Sequence, residues 1–283
     1  MQTGKIAVIG AGVMGSDVAL NLSCYGYDVV LKDLTEAVLD TARAKIAKDL
    51  RMVKFMRPDL KALDDDAVLE RIHFTRSFDS FGGVEWVIEN VSENWEVKKK
   101  AYLELAPVCQ PDTIYCINTS CISITKVASL LPRPDRVIGM HFMNPVPLKE
   151  MVEVVRGHHT SEQTVTVAKQ FLKSFGTRAV VVNDSPGFVA NRLSHLFMNE
   201  AAFLIQDQVA SPRDVDLIFK NGYGHKMGPL ETADLIGLDT VVDSLEVLYA
   251  AYQDSKFRCC PLLKRMVDAG LLGRKSGEGF YKY

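Results

Sequence analysis

The sequence lacks the features that would assign it to several specialised classes of protein. None of its apolar segments reaches the length of about 18 residues that a membrane-spanning helix needs. Lysine and arginine (33) nearly balance aspartate and glutamate (35), and the formal net charge of −2 gives no electrostatic reason to expect a nucleic-acid partner. The chain also has no internal repeat and no low-complexity segment. These absences argue against a membrane protein and give no support to a nucleic-acid-binding one.

The six cysteines show neither a C-x-x-C pair nor the spacing of a zinc site, so we predict reduced thiols and no bound metal. The N-terminal apolar run is interrupted by glycines, unlike a signal peptide, which favours a cytoplasmic protein. With 283 residues, of which 47% are hydrophobic and 24% charged, the chain is long enough for one large or two ordinary domains. The cysteines are Cys24, Cys109, Cys116, Cys121, Cys259 and Cys260.

A strand–loop–helix pattern typical of dinucleotide sites lies close to the start of the chain. The apolar residues 5–9 run directly into the G-x-G-x-x-G spacing, and a helical pattern follows. Gly10 allows the tight turn, Gly12 lets the backbone approach a pyrophosphate, and Gly15 lets the helix pack on the strand. The pyrophosphate would bind the free N–H groups at the start of that helix. The predicted cofactor-binding loop is therefore Gly10, Gly12, Val13, Met14 and Gly15.

The next predicted strand, 28–32, ends on Asp33. An acidic residue about 20 positions beyond the glycines is the group that binds the ribose hydroxyls of the adenosine half. Its charge would repel a 2′-phosphate. We therefore predict NAD rather than NADP as the cofactor.

The alternation of strand and helix patterns predicts an α/β fold with two domains. A Rossmann-type doubly wound sheet, carrying a helical-hairpin insertion at 36–56 and 64–71, would form an NAD-binding domain over residues 1–184. Beyond it, helical periodicity predicts an all-α C-terminal substrate and dimerisation domain over 185–283. The first helix of this domain has a wide apolar stripe that predicts either a homodimer face or burial between the domains. The stripe consists of Leu193, Leu196, Phe197, Ala201, Leu204 and Ile205.

Polar residues follow several strands where they end, at the edge of the sheet that ligands of this fold occupy. Ser120 and His141 follow two such strands, and the prolines after His141 predict a turn that returns the chain so that Glu153 approaches it. A carboxylate on one imidazole nitrogen leaves the other nitrogen as a general base, as alcohol oxidation requires. Glu93 and Lys98, near the end of another strand, are candidate cofactor contacts.

The predicted hairpin helix carries a basic face that ends near Lys54 and Arg57. Such a face is either solvated or a contact surface for a phosphorylated carrier. Both interpretations are consistent with the sequence.

Seven motifs give the chain a close resemblance to the 3-hydroxyacyl-CoA dehydrogenase family, whose bacterial members are 3-hydroxybutyryl-CoA dehydrogenases. They cover the chain nearly end to end in the family's order. The motifs are G-A-G-V-M-G (10–15), N-T-S (118–120), H-F-M-N-P-V-P (141–147), M-V-E-V-V (151–155), D-S-P-G-F-V-A-N-R (184–192), M-G-P-L-E-T-A-D-L-I-G-L-D (227–239) and G-R-K-S-G-E-G-F-Y-K-Y (273–283).

The resemblance implies NAD-dependent oxidation of a 3-hydroxyacyl thioester, as in fatty acid metabolism, by a homodimer. It implies that His141 is the catalytic base with Glu153 as its partner, and that Ser120 and Asn191 position the hydroxyl and thioester oxygens of the substrate. By the same resemblance, residues in both domains contact the dinucleotide. These are Asp33, Glu93, Lys98, Ser120, Asn144 and Lys275.

Two departures from the family pattern bear on the acyl carrier and on the site. The stretch 51–58 has fewer lysines than the region that helps relatives hold coenzyme A, and Glu89-Asn90 replaces the usual Glu-Ala. Coenzyme A is the favoured carrier. The alternatives are an acyl carrier protein, as in polyketide extender-unit synthesis, and a free 3-hydroxy acid. An NAD-binding structural protein, like the lens crystallins related to this family, would leave His141 and Glu153 without a purpose.

Overall fold

The computed structural model describes residues 4–283. The chain divides into two compact units, Met1–Ser185 and Pro186–Tyr283. Within the described residues, no helix combines the length and the apolar character that crossing a membrane requires.

The first unit alternates strands and helices. In chain order it contains β1 (Lys5–Ile9), α1 (Val13–Cys24), β2 (Asp28–Lys32), α2 (Glu36–Met56), α3 (Asp65–Glu70), β3 (Ile72–Thr75), β4 (Trp86–Glu89), α4 (Trp95–Leu105), β5 (Ile114–Ile117), α5 (Ile124–Ala128), β6 (Val137–His141), β7 (Met151–Arg156), α6 (Glu162–Ser174) and β8 (Arg178–Asn183).

The eight strands form one sheet in the order β3-β2-β1-β4-β5-β6-β7-β8. All neighbouring pairs are parallel except β6 and β7, which are antiparallel. The central strands β4, β5 and β6 are buried on both faces, as their continuous apolar sequences require. The strand order reverses between β1 and β4, which is where ligands of doubly wound sheets bind. The predicted fold is therefore confirmed.

The helix α2 shows how local sequence sets an element of this unit. Thr35 caps its N-terminus by accepting a hydrogen bond from the Val38 N–H at 3.3 Å, and Pro58 follows just beyond its end. Its buried side follows the helical period and consists of Leu39, Ala42, Ile46, Leu50 and Val53.

The predicted second helix of the hairpin is shorter in the structure than the sequence indicates. It spans the six residues of α3, begins after the capping Asp64, and packs against α1 and β3. The five-residue α5 is absent from the sequence-based prediction. Both differences concern helices of two turns or fewer, whose periodicity is too short to be diagnostic.

The second unit is helical, as predicted. Part of the predicted apolar stripe on its first helix serves the unit's own core, because Ala201 is only 3% exposed and packs with Val215 and Leu230. At the same helix, Leu193 is 63% exposed. The helices are α7 (Ala190–Gln206), α8 (Pro212–Leu217), α9 (Pro229–Ile236), α10 (Leu238–Tyr252) and α11 (Pro261–Asp268).

Candidate active site

The glycine loop between β1 and α1 has the geometry that a dinucleotide site requires. Gly10 has a φ of +90°, and a Cβ atom on it would lie 2.7 Å from the Asn90 carbonyl oxygen. A Cβ on Gly15 would lie 1.7 Å from the Gly10 carbonyl oxygen, so only glycine fits there. At Gly12, in contrast, nothing lies within 4 Å of the added atom. The loop is thus closed on the sheet side and open where a pyrophosphate would approach the N-terminus of α1.

The helix start itself leaves room for such a ligand. No side chain caps the N-terminus of α1, and Val13, its first residue, is 55% exposed. Met14 is partly buried and packs against the core of the unit. The free N–H groups of the first turn are consequently available to an anion.

Asp33 lies at the end of β2, beside the glycine loop. Its two carboxylate oxygens accept hydrogen bonds from the Ala11 and Leu34 N–H groups, each at 2.6 Å. These contacts fix the carboxylate at one wall of a cleft of about 640 Å³, which is also lined by Gly10, Gly12 and Asn90. The residues present therefore fit the adenosine and pyrophosphate portions of NAD.

Lys98 is fully buried, and its ammonium group is held inside the unit. Its Nζ donates to both carboxylate oxygens of Glu89, at 2.8 and 2.9 Å, and both side chains are 0% exposed. Burial raises the pKa of Glu89, and the attraction of the Lys98 charge opposes that effect. Tyr102 donates a further hydrogen bond to Glu89 at 3.1 Å. These contacts show Lys98 supporting the end of β4, and its predicted contact with the cofactor stays a prediction.

Glu93 holds the turn that carries Ser120. Its Oε1 atom accepts hydrogen bonds from the N–H groups of Ser120, Cys121 and Ile122, at 3.1, 2.8 and 3.2 Å, and from the Thr119 hydroxyl. One carboxylate oxygen therefore fixes four donors of a single turn. These hydrogen bonds do not involve a cofactor, and the predicted contact of Glu93 with the cofactor stays a prediction.

His141 and Glu153 meet as the sequence predicts. They are opposite each other in the antiparallel pairing of β6 with β7, and His141 Nδ1 lies 2.7 Å from Glu153 Oε2. Both residues are buried, at 7% and 3% exposure. On the other side of the ring, His141 Nε2 lies 3.3 Å from the Ser120 hydroxyl oxygen.

The partners of the ring determine the tautomer of His141. A carboxylate can only accept, so Nδ1 carries the proton that it donates to Glu153. In the neutral ring Nε2 then has a lone pair, and the Ser120 hydroxyl can donate to it. The site therefore presents a basic nitrogen and a hydroxyl at the carboxyl end of the sheet. Asn144 is exposed in the turn that follows β6 at the same edge.

Lys54 and Arg57, the predicted contacts to a phosphorylated carrier, both have partners within the first unit. Lys54 Nζ lies 2.5 Å from the Leu63 carbonyl oxygen and 2.5 Å from Asp65 Oδ1. Arg57 pairs with Asp59 and also donates to the Pro147 carbonyl oxygen at 2.9 Å. A phosphate contact would therefore have to compete with these partners, and this role of the two cations stays a prediction.

Asn191 and Lys275 belong to the second unit. Asn191 lies in the first turn of α7, where its carbonyl oxygen is 2.9 Å from His195 Nδ1. Lys275 forms an ion pair with Asp239. Burial raises the pKa of the Asp239 carboxyl group, but the Lys275 hydrogen bond and charge, together with the Thr240 N–H, outweigh this and lower the pKa. Their predicted contacts with substrate and dinucleotide stay predictions.

Comparison with known proteins decides the family. Residues 5–185 match the model of the 3-hydroxyacyl-CoA dehydrogenase NAD binding domain, and residues 187–283 match the C-terminal domain of the same family. The chain belongs to this family. The predictions of a 3-hydroxyacyl-CoA dehydrogenase fold, of an NAD-dependent oxidoreductase and of NAD as its cofactor are thereby confirmed, and the alternative of a non-enzymatic structural protein finds no support.

Several relatives match along nearly their whole length. The chain is 43% identical over 281 residues to a probable 3-hydroxybutyryl-CoA dehydrogenase of Deinococcus radiodurans, covering 99% of this chain and 100% of that protein. It is 41% identical over 282 residues to a 3-hydroxybutyryl-CoA dehydrogenase of Bradyrhizobium diazoefficiens, with coverages of 99% and 95%. The crystal structure of (S)-3-hydroxybutyryl-CoA dehydrogenase PaaH1 from Ralstonia eutropha superimposes with a TM-score of 0.92 at 38% identity, covering 99% of this chain and 98% of that one.

Several polar residues of this 3-hydroxyacyl-CoA dehydrogenase site are not predicted from its sequence. Asn118 donates to Asn90 Oδ1 at 2.7 Å and accepts from the Phe142 N–H at 3.2 Å, which links the ends of β4, β5 and β6. Asp17 is buried in α1 at 4% exposure. The sequence signal that could have identified them is a polar residue flanked by apolar residues in a buried element. A polar side chain in such a position requires hydrogen-bond partners.

Proposed function

We propose that this enzyme oxidises the 3-hydroxyl group of a short-chain 3-hydroxyacyl-CoA, such as 3-hydroxybutyryl-CoA, to the 3-oxoacyl thioester, reversibly and with NAD. The observation that carries the proposal is the 2.7 Å contact of His141 Nδ1 with Glu153, with Nε2 facing Ser120. This pair lies at the same edge of the sheet as the glycine loop. The names of the full-length relatives support the acyl group.

In the proposed reaction, one residue acts as the base and a second residue stabilises its charged form. His141 Nε2 takes the proton of the 3-hydroxyl group as the carbonyl double bond forms, and Glu153 stabilises the imidazolium through Nδ1. NAD, when bound, supplies the acceptor for the hydride that leaves C3. Ser120 orients the hydroxyl group toward Nε2. The family resemblance assigns to Asn191 the positioning of the thioester oxygen.

The cofactor portion of the proposal assigns the loop and the residues around it. Gly10, Gly12, Val13, Met14 and Gly15 would hold the pyrophosphate at the start of α1, and Asp33 would bind the adenosine ribose. The open space at Gly12 and the position of Asp33 at the cleft wall support this. We retain Glu93, Lys98, Asn144 and Lys275 as proposed contacts on the basis of the family resemblance.

Coenzyme A is the proposed carrier, and a carrier protein is the second candidate. The observation that favours the second lies at the end of α2, where Phe55 is 88% exposed, Met56 55% and Met52 44%. Exposed Lys48 and Arg51 lie on the same helix. An apolar and basic surface of this kind complements an acidic helix. Turnover of acetoacetyl-CoA should exceed that of the matching carrier-protein thioester, and the reverse order would select the second candidate.

We also propose that the enzyme is a homodimer through the helical domain. The second unit exposes several large apolar side chains, among them Leu193 at 63%, Ile218 at 57% and Tyr223 at 72%. Exposed apolar area of this extent favours a protein interface. A monomeric mass at micromolar concentration would contradict this. The cytoplasmic location proposed from the sequence agrees with six free cysteines.

Turnover of the variants His141→Gln, Glu153→Gln and their double mutant tests the proposed chemistry. General-base catalysis contributes roughly 10²- to 10⁴-fold, so His141→Gln should lower turnover of 3-hydroxybutyryl-CoA by about that factor with NADH affinity retained. Glu153→Gln should lose no more than that. The double mutant should be little worse than the worse single mutant, because the two side chains act as one unit. Near-parental turnover of His141→Gln, or full multiplication of the two losses, would refute the assignment.

A further inference from the structure

The turn between His141 and Glu153 is held by side chains that belong to other elements. It spans residues 142–150 and includes two prolines, which have no N–H group to donate. The turn satisfies part of its own backbone, through the hydrogen bonds of the Leu148 N–H to the Pro145 carbonyl oxygen and of the Lys149 N–H to the Val146 carbonyl oxygen, at 3.1 and 3.2 Å. Two further backbone groups have partners in other elements. The Val146 N–H donates to Asp17 Oδ2 at 3.3 Å, and the Pro147 carbonyl oxygen accepts from Arg57 Nη1 at 2.9 Å.

Asp17 reaches the turn from inside α1 and is paired with a cation. It forms an ion pair with Lys45 of α2, whose Nζ also lies 2.6 Å from Asp49. Burial lowers the pKa of Lys45, but its hydrogen bonds to Asp17 and Asp49 outweigh this and raise it. The pairing also neutralises a carboxylate in the helix whose N-terminus would bind a pyrophosphate.

Arg57 reaches the turn from the end of α2 and is itself fixed on two sides. Its guanidinium makes a bidentate contact with Asp59, at 2.9 and 2.8 Å, and donates to the Tyr25 hydroxyl at 2.6 Å. The Arg57 hydrogen bond holds the pKa of Asp59 below its ordinary value. Because the planar fork is held rigidly, its remaining N–H group has a defined direction toward Pro147.

The position of the dyad in the strand pairing makes it sensitive to this turn. The paired positions of β6 and β7 are Gly139 with Val155, Met140 with Val154, and His141 with Glu153. The dyad is therefore the last pair before the turn. A displacement of the turn acts on this pair before any other.

We propose that Asp17 and Arg57 are positioning residues that set the distance between His141 and Glu153 by fixing the turn that joins their strands. The proposal rests on the proposed role of the dyad. It assigns to Arg57 a function in the chemical step for every substrate, in place of a contact to the carrier phosphate. Misplacement of a catalytic group by about 1 Å can cost up to about 100-fold in rate, so a loss of about 10-fold or more is expected.

Turnover of two substrates by Arg57→Met tests the proposal. One substrate is acetoacetyl-CoA, and the other is the acetoacetyl thioester of N-acetylcysteamine, which has the reacting atoms and no nucleotide. The variant should have a kcat that is lower by the same factor for both substrates, with kcat calculated per NADH-binding site. Both KM values and the NADH affinity should be retained. Arg57→Lys, which keeps one donor, should recover part of the loss. Arg43→Met is the matched control, because Arg43 lies in α2, the helix that Arg57 follows, and pairs with Glu36 and Asp40 instead.

A second pair of variants tests Asp17 without depending on Arg57. Asp17→Asn keeps an acceptor for the Val146 N–H and should retain most of the kcat, whereas Asp17→Ala should lose about as much as Arg57→Met. Equal kcat values for Asp17→Asn and Asp17→Ala would overturn the role of Asp17. A raised KM for acetoacetyl-CoA alone, or parental kinetics of Arg57→Met on both substrates, would overturn that of Arg57. Failure of the proposed function is distinguishable, since His141→Gln would then keep its turnover.

Discussion

The buried pair of Lys98 and Glu89 gives the sharpest prediction about stability. Both side chains are 0% exposed, and Lys98→Met would keep the shape of the chain while leaving the Glu89 carboxylate without its cation. Breaking a buried ion pair by removing one partner costs about 3–5 kcal/mol. Glu89 would keep two neutral donors, the Tyr102 hydroxyl at 3.1 Å and the Val91 N–H at 2.6 Å. We therefore expect a loss at the lower end, about 3 kcal/mol in the free energy of unfolding.

The double variant Glu89→Gln/Lys98→Met separates the cost of the unpaired charge from the value of the pair. It removes both charges, and replacement of a whole buried pair by neutral groups is often close to neutral. The double variant should therefore recover most of the stability lost by Lys98→Met.

The intrinsic fluorescence of the protein reports this loss in the relevant unit. The chain has two tryptophans, Trp86 in β4 and Trp95 in α4, and both lie in the first unit. Denaturant titration followed at these residues should give a lower midpoint for Lys98→Met with an unchanged slope. NADH binding to the folded variant is measured separately.

The pH dependence of the loss follows from the raised pKa of Glu89. Burial raises this pKa, and removal of the Lys98 charge raises it further. An acid with a folded-state pKa above its unfolded value contributes stability at low pH that is lost as the pH rises through the folded-state pKa. The deficit of Lys98→Met should thus be smallest in acid and grow toward neutral pH. A parental unfolding midpoint combined with lost NADH affinity would refute this reasoning and make Lys98 a direct cofactor contact.

Three further predictions concern the cofactor side of the site. Gly15→Ala should raise the NADH dissociation constant by about 10- to 100-fold, because its Cβ would lie 1.7 Å from the Gly10 carbonyl oxygen and overpacking costs about 1–3 kcal/mol. An unchanged dissociation constant in a fluorescence titration with NADH would contradict this. Asp33→Ser should lower the ratio of turnover with NADH to turnover with NADPH, because it removes the charge that repels a 2′-phosphate. An unchanged ratio would show that another group selects the cofactor. Glu93→Ala should lower the unfolding free energy by about 1.5–3 kcal/mol, whereas Glu93→Gln, which keeps an acceptor for the turn at Ser120, should lose less.

The regular elements of this protein are largely predictable because their periodicity is local. Residues 5–9, 28–32, 36–56 and 114–117 have the same bounds in the sequence prediction and in the structure. The exception α5 depends on a distant partner. Asp184 accepts hydrogen bonds from the Ser123 hydroxyl and the Thr125 N–H at the start of that helix, 61 and 59 residues away from it in sequence. A five-residue segment stabilised in this way carries no periodic signal.

The same distinction between local and distant contacts explains which site residues could be assigned. His141 and Glu153 are separated by one turn, so strand alternation and two prolines suffice to bring them together. Arg57 and Pro147 are 90 residues apart, and Asp17 and Val146 are 129 apart. From the sequence alone, a cation at the end of a helix such as Arg57 therefore suggests a contact with a ligand. In the structure, Arg57 instead donates to a backbone carbonyl oxygen of the protein itself. A buried aspartate within an apolar helix is the better signal, because a buried carboxylate requires partners, and those of Asp17 are the Lys45 ammonium group and the Val146 N–H.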